Sequence, residues 1–539
     1  MMVRGCFLVT VFLVVATSSA HGEKKMFCYY SSDAQYRLSV GRFLPENIDP
    51  TLCTHVIFAF FQPNGLDVQA VGARDLVDYS GGPGLYQRTV ALKKKNPRLR
   101  VLLAIGGWVI GSKALPPDHS VCQYHTTIHQ QRYSLSQHMV QRSHNMDGMD
   151  MDWEFPGVRG STPDDRPLFT LLLKTLQEEF TREAIQTGRE KLILTLATAA
   201  GSYYIDQGYE TREIAKYPDY MLLMTYNYHG SWENKTGHPS AVWASYLDQG
   251  DRRELCMNWT TQYWLSQGAP REKLILGLAT YGMTYTLVNP AINGLMAPAY
   301  GGGRGAQYTQ EYGIMAFYEV CENLARHGWR SVWIEDQKVP YAYGGDQWVG
   351  YDNVDSITIK VQQIINRYDL GGAFVWSVEM DDFSNHCGYG PYPLLRAIKT
   401  TMDGGYVGQT VTTPRPLVPF IPFTATPPPF NLFTTRQPYI PRPSTYILNP
   451  TPQPQTPHYP ANQPSMDTMS KPVMVFPSTD CKRLGQGIFA DPTACGQFFY
   501  CVEALQGHFF QYTMRCPRLL KFDAVLLTCI YDSDCKNGA

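Results

Sequence analysis

The sequence has little charge and almost no charge imbalance. Lys and Arg number 46 against 47 Asp and Glu, which leaves a formal net charge of −1 over 539 residues. A chain without a net field does not attract polyanions at long range, so neither nucleic acid nor an anionic membrane is an expected partner. Charged residues make up only 17% of the chain, whereas aromatic residues reach 13%. This balance favours binding to extracellular polysaccharide or protein surfaces over cytosolic metabolism.

Long hydrophobic runs are also scarce. After the first twenty residues no stretch approaches the 18 apolar residues that a membrane-spanning helix needs, so the mature protein is expected to be soluble. At the N-terminus, Arg4 precedes the apolar run Cys6–Ala16 and small residues at 18–20, the pattern of a secretory signal peptide over 1–20. A buried N-terminal strand is the alternative. The sequence therefore predicts a secreted, extracellular protein.

Cysteine is sparse over most of the chain and dense at its end. Once Cys6 leaves with the signal peptide, six cysteines are scattered from 28 to 387 and six crowd into 481–535. Between these sets, 411–470 contains 16 Pro and only four charged residues, which indicates an extended linker. We divide the chain into a signal peptide (1–20), a large domain (21–400), a Pro-rich linker (401–478) and a small module (479–537).

The large domain contains eight short apolar runs, each followed by a longer mixed segment that is typical of a helix. The runs are Phe27–Tyr30, His55–Phe61, Arg100–Gly106, Met149–Trp153, Leu192–Thr198, Tyr220–Tyr226, Leu274–Tyr281 and Gly372–Trp376. Eight strands with helical crossovers predict an α/β fold, a (β/α)₈ TIM barrel. The long gap before the eighth run predicts an inserted subdomain at about 284–352.

The fourth run carries alternating carboxylates. Asp150, Asp152 and Glu154 are spaced two apart, so on a strand they project from one face at intervals of about 6.5 Å. Mutual repulsion raises their pKa values and lets one carboxylic acid stay protonated near neutral pH, as a general acid requires. A calcium loop or a solvated acidic strand is the alternative, but the large apolar residues between the acids, such as Met151 and Trp153, argue against both.

The motif Asp-x-x-Asp-x-Asp-x-Glu at 147–154 resembles the family 18 glycoside hydrolases, the chitinases. The resemblance covers nearly all of 26–400. It includes the segments Cys28-Tyr29-Tyr30, 102–108 (LLAIGGW), 224–227 (MTYN), 229–233 (HGSWE) and 373–376 (AFVW). Segments 339–343 and 348–352 resemble the inserted α+β subdomain of the animal enzymes.

The resemblance implies a substrate-assisted reaction. Glu154 would protonate the glycosidic oxygen, and Asp152 would orient the N-acetyl group, whose carbonyl oxygen attacks the anomeric carbon. Asp150 would buffer the charge on Asp152, and Tyr226 would hydrogen-bond the acetamide. Asp147 has the opposite parity and is expected to be structural. Net retention of configuration should follow, and neither a cofactor nor a metal is expected.

Aromatic planes bind the apolar faces of sugars. By resemblance, Trp376 would form the floor of the cleft and Trp108 and Trp232 would line the leaving-side subsites, although core packing is the alternative for any single Trp. The complete set of implied substrate contacts is Tyr29, Trp108, Phe155, Met224, Asn227, Trp232 and Trp376.

Three positions depart from the family pattern. Asn227 stands where the family has Asp, so we expect reduced but real activity. Asp33 replaces a Trp that stacks a distal sugar in animal relatives, and Met283 replaces a His or Arg. The last two should weaken or reshape glycan binding without stopping the chemistry.

The C-terminal cysteines have the spacing Cys481-x₁₃-Cys495-x₅-Cys501-x₁₄-Cys516-x₁₂-Cys529-x₅-Cys535. This resembles the peritrophin-A type chitin-binding domain, a small disulfide-rich β module. A zinc site is the rival interpretation, but no His falls at ligand spacing. By resemblance the pairs are Cys481–Cys501, Cys495–Cys535 and Cys516–Cys529. Phe499, Tyr500 and Phe510 are candidate sugar-stacking residues, of which at least one is expected in the core.

The remaining cysteines belong to the large domain. Cys28–Cys53 and Cys321–Cys387 fit the animal pattern, whereas Cys122 and Cys256 either pair with each other or stay as buried thiols. Two sequons, at Asn234 and Asn258, are candidate glycosylation sites.

The sequence thus predicts a secreted, monomeric chitinase, tethered to chitin by its module and acting on chito-oligosaccharides and chitin. A chitinase-like lectin without hydrolysis is the second hypothesis. A structural component of a chitin matrix is the third, but it leaves the intact acidic strand unexplained.

Overall fold

A computed structural model describes residues 23–64, 67–78, 81–112 and 145–405, and five short segments between 487 and 531. The predicted signal peptide, Cys122 and nearly all of the predicted linker lie outside the described residues. Within the described ranges, no helix is long and apolar enough to cross a membrane.

The N-terminal domain is built on eight parallel strands. They are β1 (Lys25–Ser31), β2 (His55–Asn64), β4 (Arg100–Gly106), β5 (Gly148–Asp152), β6 (Ile193–Thr198), β7 (Tyr220–Leu223), β8 (Leu274–Ala279) and β15 (Gly372–Trp376). Each pairs with the next, and β15 pairs with β1, so the sheet closes into a barrel. A further strand, β3 (Asp67–Ala70), forms an antiparallel hairpin with β2. The predicted (β/α)₈ barrel is confirmed.

The eight predicted apolar runs are the eight barrel strands, because strands buried on both faces read as continuous hydrophobic segments. Two of them, Arg100–Gly106 and Gly372–Trp376, have the predicted bounds. The run predicted to end at Tyr226 ends as a strand at Leu223. Asn227, the residue after Tyr226, has left the strand geometry and adopts the left-handed backbone value φ 55°.

The described helices lie around the barrel, with one exception. In chain order they are α1 (Ala73–Leu76), α2 (Leu85–Val90), α3 (Asp165–Thr187), α4 (Ser202–Gly208), α5 (Thr211–Ile214), α6 (Met257–Ser266), α7 (Phe317–Arg326), α8 (Val354–Lys360) and α9 (Pro393–Met402). The exception is α7, which belongs to the segment inserted between β8 and β15. The longest described helix, α3, buries Phe169, Leu173, Leu176 and Phe180, which share one helical face. It ends at Gly188, which adopts φ 67° and donates its N–H to the carbonyl of Ala184.

An antiparallel sheet is inserted between β8 and β15. Its strands are β9 (Tyr281–Leu287), β10 (Ala299–Gly302), β11 (Ile314–Ala316), β12 (Arg330–Ile334), β13 (Val339–Gly344) and β14 (Gln347–Gly350). The order is β10-β9-β14-β13-β12, with β11 paired to β9. Tyr285, Tyr341 and Trp348 are buried in its own hydrophobic core. Because β9 starts two residues after β8 ends, the insertion stands at the carboxyl end of the barrel strands.

Covalent and ionic contacts join the insertion to the barrel. A disulfide links Cys321 on α7 to Cys387 in the segment after β15. The other described disulfide, Cys28–Cys53, lies within the barrel and joins β1 to the segment before β2. Lys360 Nζ lies 2.5 Å from Asp352 Oδ2, and both side chains are fully buried. The insertion is therefore fixed against the barrel through α7 and through the segment that follows β14.

Cys256, which was expected either to pair with Cys122 or to stay a thiol, is a free buried thiol. Burial raises the pKa of its thiol. Its Sγ lies 3.9 Å from the carbonyl oxygen of Arg253.

The C-terminal module belongs to a separate compact unit, residues 419–539. Its described strands are β16 (Gly487–Ala490), β17 (Gln497–Ala504), β18 (His508–Arg515), β19 (Leu520–Asp523) and β20 (Thr528–Tyr531). The first three form an antiparallel sheet and the last two a hairpin. The side chains of Phe499, Tyr500 and Phe510 and the three expected module disulfides lie outside the described part of the chain.

Candidate active site

The predicted acidic residues lie at the carboxyl end of β5. Asp150 and Asp152 are on the strand and are buried, whereas Glu154 follows two residues after the strand ends and is half-buried. Asp147, at the start of this motif, faces away from them. Its carboxylate accepts a 2.7 Å hydrogen bond from the N–H of Val101 and pairs with Lys93. The motif therefore combines a structural carboxylate with three that face the interior and mouth of the barrel.

Asp150 is held from two sides of the barrel interior. Tyr29 on β1 donates a 2.6 Å hydrogen bond to Oδ2, and Thr195 on the neighbouring β6 donates a 2.5 Å hydrogen bond to Oδ1. Burial raises the pKa of Asp150 to about 6, although these two hydrogen bonds lower it. Both carboxylate oxygens thus have a donor, and the side chain is fixed in one orientation.

Asp152 is buried without such support. Burial raises its pKa well above the ordinary value, and the neighbouring charges of Glu154 and Asp150 raise it further. Its Oδ1 is a buried oxygen with no hydrogen-bond partner among the described residues. Leaving a buried polar atom unpaired is costly, so Asp152 has unused hydrogen-bonding capacity in the barrel interior.

Glu154 has the properties of a general acid. Burial raises its pKa to about 7, while the positive charge of Arg159 lowers it. A carboxylic acid with a pKa near the working pH retains its proton and can also lose it during a reaction. Since the three carboxylates interact, each successive proton loss belongs to the cluster as a whole and is not assigned to a single residue.

Arg159 connects Glu154 to Trp108. One guanidinium nitrogen donates a 2.7 Å hydrogen bond to the carbonyl of Glu154, and another donates a 3.1 Å bond to the carbonyl of Trp108. The guanidinium carbon also lies 3.5 Å from the centre of the Trp108 ring, at cation–π distance. Arg159 therefore positions the acid and an exposed aromatic ring relative to each other.

Two glycines bring β4 close to the acidic strand. Gly106 adopts φ 117°, and a Cβ atom there would lie only 2.1 Å from the carbonyl oxygen of Asp152. Gly107 adopts φ 93° and donates its N–H to the same carbonyl at 2.7 Å. Only glycine fits this approach, which fixes the backbone immediately before Glu154.

Tyr226 and Asn227 line the side of the site formed by the segment after β7. Burial raises the pKa of Tyr226, and the charges of Tyr281 and of the acidic cluster raise it further, so its hydroxyl stays protonated as a donor. The amide oxygen of Asn227 accepts a 2.6 Å hydrogen bond from the Tyr281 hydroxyl. This contact leaves the NH₂ group of the exposed Asn227 directed away from Tyr281.

Trp376 ends β15 and packs against the site. Its ring lies 5.2 Å from the ring of Tyr29 and stacks on Phe60 at 5.5 Å. Because Tyr29 also binds Asp150, Trp376 is tied to the acidic cluster through one intervening side chain.

Other predicted contacts lie farther from the carboxylates or in the core. Trp108 and Trp232 are more than half exposed at the mouth of the barrel, as expected of surfaces that meet a ligand. Phe155 is buried and its ring lies 4.9 Å from that of Tyr204. Met224 is also buried. Asp33 lies just after β1, and its side chain is exposed. Partial desolvation of its carboxyl group raises the pKa of Asp33, whereas the positive charge of Arg37 lowers it.

Sequence reasoning missed three residues of the site: Thr195, Arg159 and Tyr281. Thr195 is found only through strand register, since it pairs directly with Asp150. A polar residue at an interior position of a hydrophobic strand was the available signal. Arg159 and Tyr281 act from a loop and from the inserted sheet, and their partners depend on how these segments fold back onto the barrel.

Comparison with known proteins identifies the family. The family model "Glycosyl hydrolases family 18" matches residues 25–381. The chain belongs to glycosyl hydrolase family 18. A second model, "Chitin binding Peritrophin-A domain", matches residues 481–537. The family 18 barrel and a C-terminal chitin-binding domain are thus combined in one chain.

Relatives of this family 18 protein include both chitinases and a pseudo-chitinase. The chain is 38% identical to mouse chitotriosidase-1 over 396 residues, or 73% of this chain and 81% of the relative. Human YKL-39, described as a pseudo-chitinase with retained chitooligosaccharide binding, is 36% identical over 70% of this chain and all of that one, with a TM-score of 0.63. Ostrinia furnacalis Group IV chitinase, solved with allosamidin, is 35% identical over 71% of this chain and all of that one, also at 0.63.

The positive charge of Arg159 generates a pH prediction. In Arg159→Met the lowering effect on Glu154 is lost, so the pKa of the acid rises and its proton is kept to higher pH. We expect the alkaline limb of the pH profile of glycoside hydrolysis to move upward by about one unit or less. Arg159→Lys is the control, because it keeps the charge and loses the forked hydrogen bonds. If the alkaline limb shifts equally in both variants, the cause is the loss of the hydrogen bonds that position Glu154 and not the loss of the positive charge.

Proposed function

We propose that the chain is a secreted chitinase that hydrolyses β-1,4 bonds between N-acetylglucosamine units, with the substrate's own acetamide as the nucleophile. The observation that carries this proposal is the pairing of Glu154, whose pKa is raised to about 7, with Asp152, whose Oδ1 has no described partner. Glu154 can donate a proton, and Asp152 can accept a hydrogen bond from an N–H group. No protein nucleophile is needed for this chemistry.

In the first step, Glu154 transfers its proton to the glycosidic oxygen. The acetamide N–H donates to the Asp152 carboxylate, which holds the acetamide carbonyl oxygen in line with the anomeric carbon. That oxygen forms a bond to the anomeric carbon while the bond to the leaving sugar breaks, giving an oxazolinium ion. The net negative charge of the Asp150–Asp152 pair stabilises the positive ring. The Tyr226 hydroxyl donates to the acetamide oxygen and orients it.

In the second step, water attacks the anomeric carbon from the side that the leaving sugar occupied. The carboxylate of Glu154 takes a proton from this water, and the bond between the anomeric carbon and the acetamide oxygen breaks. Two displacements at one carbon retain the anomeric configuration. Glu154 regains its proton and the acetamide is restored, so the site returns to its starting state.

Aromatic residues supply the binding surface. The position of Trp376, beside Tyr29 and at the carboxyl end of β15, suits it to carry the apolar face of the sugar that is attacked. Trp108 and Trp232 offer exposed rings for sugars on the leaving side. At Asn227, the NH₂ group that Tyr281 leaves unbound is a further donor to the acetamide, which supports activity despite the missing Asp.

A chitinase-like lectin is the second candidate. The similarity to human YKL-39 favours it, since that protein is described as a pseudo-chitinase. The intact acidic cluster favours the enzyme, because a lectin has no need of a protonated acid beside an unpaired buried carboxylate. Turnover of a soluble chito-oligosaccharide separates the two candidates.

Replacement of the acid tests the mechanism. Glu154→Gln keeps the shape of the side chain and loses the transferable proton, so hydrolysis of soluble chito-oligosaccharides should fall by at least about 100-fold. Oligosaccharide affinity, measured by calorimetry, should stay close to that of the wild type. Glu178→Gln, the same change at an exposed position on α3, is the control and should keep full activity. Retention of more than about a tenth of the rate in Glu154→Gln would contradict the assignment.

We further propose that the chitin-binding domain tethers the barrel to insoluble chitin outside the cell. The match of residues 481–537 to a chitin-binding domain supports chitin as the ligand of this module. Tethering raises the effective substrate concentration without changing the active site. For glycosylation, Asn234 is the favoured acceptor because it is exposed. Asn258 is half-buried, and its amide oxygen accepts a hydrogen bond from Tyr368.

Truncation after residue 405 tests the tether. The shortened chain keeps every described residue of the barrel and insertion, so turnover of soluble oligosaccharides should be nearly unchanged. Binding to chitin beads should fall sharply, because the module is gone. Equal capture of the full and shortened chains by the beads would refute the tethering role.

A further inference from the structure

Three exposed aromatic residues belong to the segment after β7 and to the inserted sheet. Trp232 is 60% exposed, Tyr312 is 56% exposed and Tyr300 is 76% exposed. They come from the segment after β7, from the loop before β11 and from β10. Single exposed aromatic residues are common, but neighbouring ones form a surface that calls for a ligand.

Contacts at two glycines show that Tyr312 and the Trp232 segment are neighbours. A Cβ atom on Gly302 would lie 2.7 Å from Tyr312 Cε1 and 2.8 Å from the Cβ atom of Ser231, the residue before Trp232. A Cβ atom on Gly313 would also lie 2.8 Å from Ser231 Cβ. Ser231 is thus packed between the β10 backbone and the residue that follows Tyr312.

The ring of Tyr312 rests on the backbone of β10. A Cβ atom on Gly301 would lie 3.0 Å from the Tyr312 hydroxyl oxygen, and the ring edge lies over Gly302. Backbone hydrogen bonds hold Gly313, the residue after Tyr312, in place. The N–H of Gly313 donates to the carbonyl of Gly303 at 3.0 Å, and the carbonyl of Gly313 accepts from the N–H of Thr284 at 2.9 Å. A ring supported in this way is ordered before a ligand arrives, so little entropy is lost on binding.

The same surface is continuous with the catalytic cleft. A Cβ atom on Gly230 would lie 2.5 Å from Trp232 Cη2 and 2.9 Å from Met283 Cε, so the Trp232 ring and Met283 meet there. Met283 lies two residues after Tyr281 on β9, and alternate residues share a face of a strand. Tyr281 is the residue that binds Asn227 in the site. One face of β9 therefore leads from the catalytic centre to Trp232.

We propose that Tyr312, together with Tyr300, extends the Trp232 surface into an aromatic ledge on the inserted subdomain, which binds outer N-acetylglucosamine units of a longer chitin chain. The ledge consists of Trp232, Tyr312 and Tyr300. Its ligand follows from its chemistry and position: flat aromatic rings bind the apolar faces of sugars, and the ledge begins where the cleft that holds the polymer ends. This inference rests on the proposed function and adds a determinant of preference for chain length.

Hydrolysis of soluble oligosaccharides from chitotriose to chitohexaose tests the ledge in the full chain. Tyr312→Ala should leave kcat/KM for the shortest substrate unchanged and lower it for the longest by about three- to tenfold. Tyr312→Phe keeps the ring and should keep most of the preference for long substrates. Adding Tyr300→Ala to Tyr312→Ala should lower the rate on the longest substrate further.

Tyr246→Ala is the matched control. Tyr246 is 80% exposed, and its backbone N–H binds Asp336 in the turn after β12, at the opposite edge of the inserted sheet from β10. This variant should match the wild type on every substrate. Equal losses on short and long substrates in Tyr312→Ala, or no loss on any, would overturn the ledge.

Calorimetry separates failure of the ledge from failure of the enzyme. If the wild type binds chito-oligosaccharides but does not cleave them, the proposal of chitinase activity is wrong. The ledge is still supported in that case if Tyr312→Ala weakens the binding of chitohexaose more than the binding of chitotriose. A wild type that neither cleaves nor binds them overturns both proposals. A third outcome is that the wild type dimerises and that Tyr312→Ala abolishes the dimer without changing sugar binding. This result would show that the ledge binds a second copy of the chain, and it would overturn the role of the ledge in sugar binding.

Discussion

Negative charge inside a hydrophobic barrel is the constraint on which this site depends. Placing a carboxylate in a low-dielectric interior is costly unless the group is hydrogen-bonded or protonated. Asp150 is accommodated by two donors from opposite sides of the barrel, Tyr29 and Thr195. Among the described residues no comparable pair of donors holds Asp152 or Glu154, and burial raises the pKa values of both. The fold therefore creates a set of carboxylates that holds protons near neutral pH.

The surrounding structure serves to keep this cluster in place. Gly106 and Gly107 let β4 approach the backbone of Asp152, and Arg159 anchors the carbonyl of Glu154 while it lowers the pKa of that acid. The inserted sheet contributes Tyr281, which orients Asn227 on the far side of the cluster. These contacts come from a strand, a loop and a separate sheet, so the geometry of the site depends on the closure of the whole domain.

The barrel was predictable from sequence because its strands are continuous apolar runs, and period-two spacing placed Asp150 and Asp152 on one face. The strand ends were less predictable where the site begins. The run through Tyr226 ends as a strand at Leu223, and Glu154 lies beyond the end of β5. Polar residues at these ends take irregular backbone conformations that hydrophobic patterns do not encode. Thr195 was missed because its contact depends on strand register, which one sequence does not specify.

Membership of glycosyl hydrolase family 18 leaves catalysis as the central question, since the relatives include chitinases and a pseudo-chitinase. The most direct measurement is proton NMR of a soluble chito-oligosaccharide in the first minutes after the wild-type protein is added. Substrate-assisted catalysis by Glu154 and Asp152 predicts that the new reducing ends appear as the β-anomer before mutarotation. An initial excess of the α-anomer, or no product at any pH, would contradict the account.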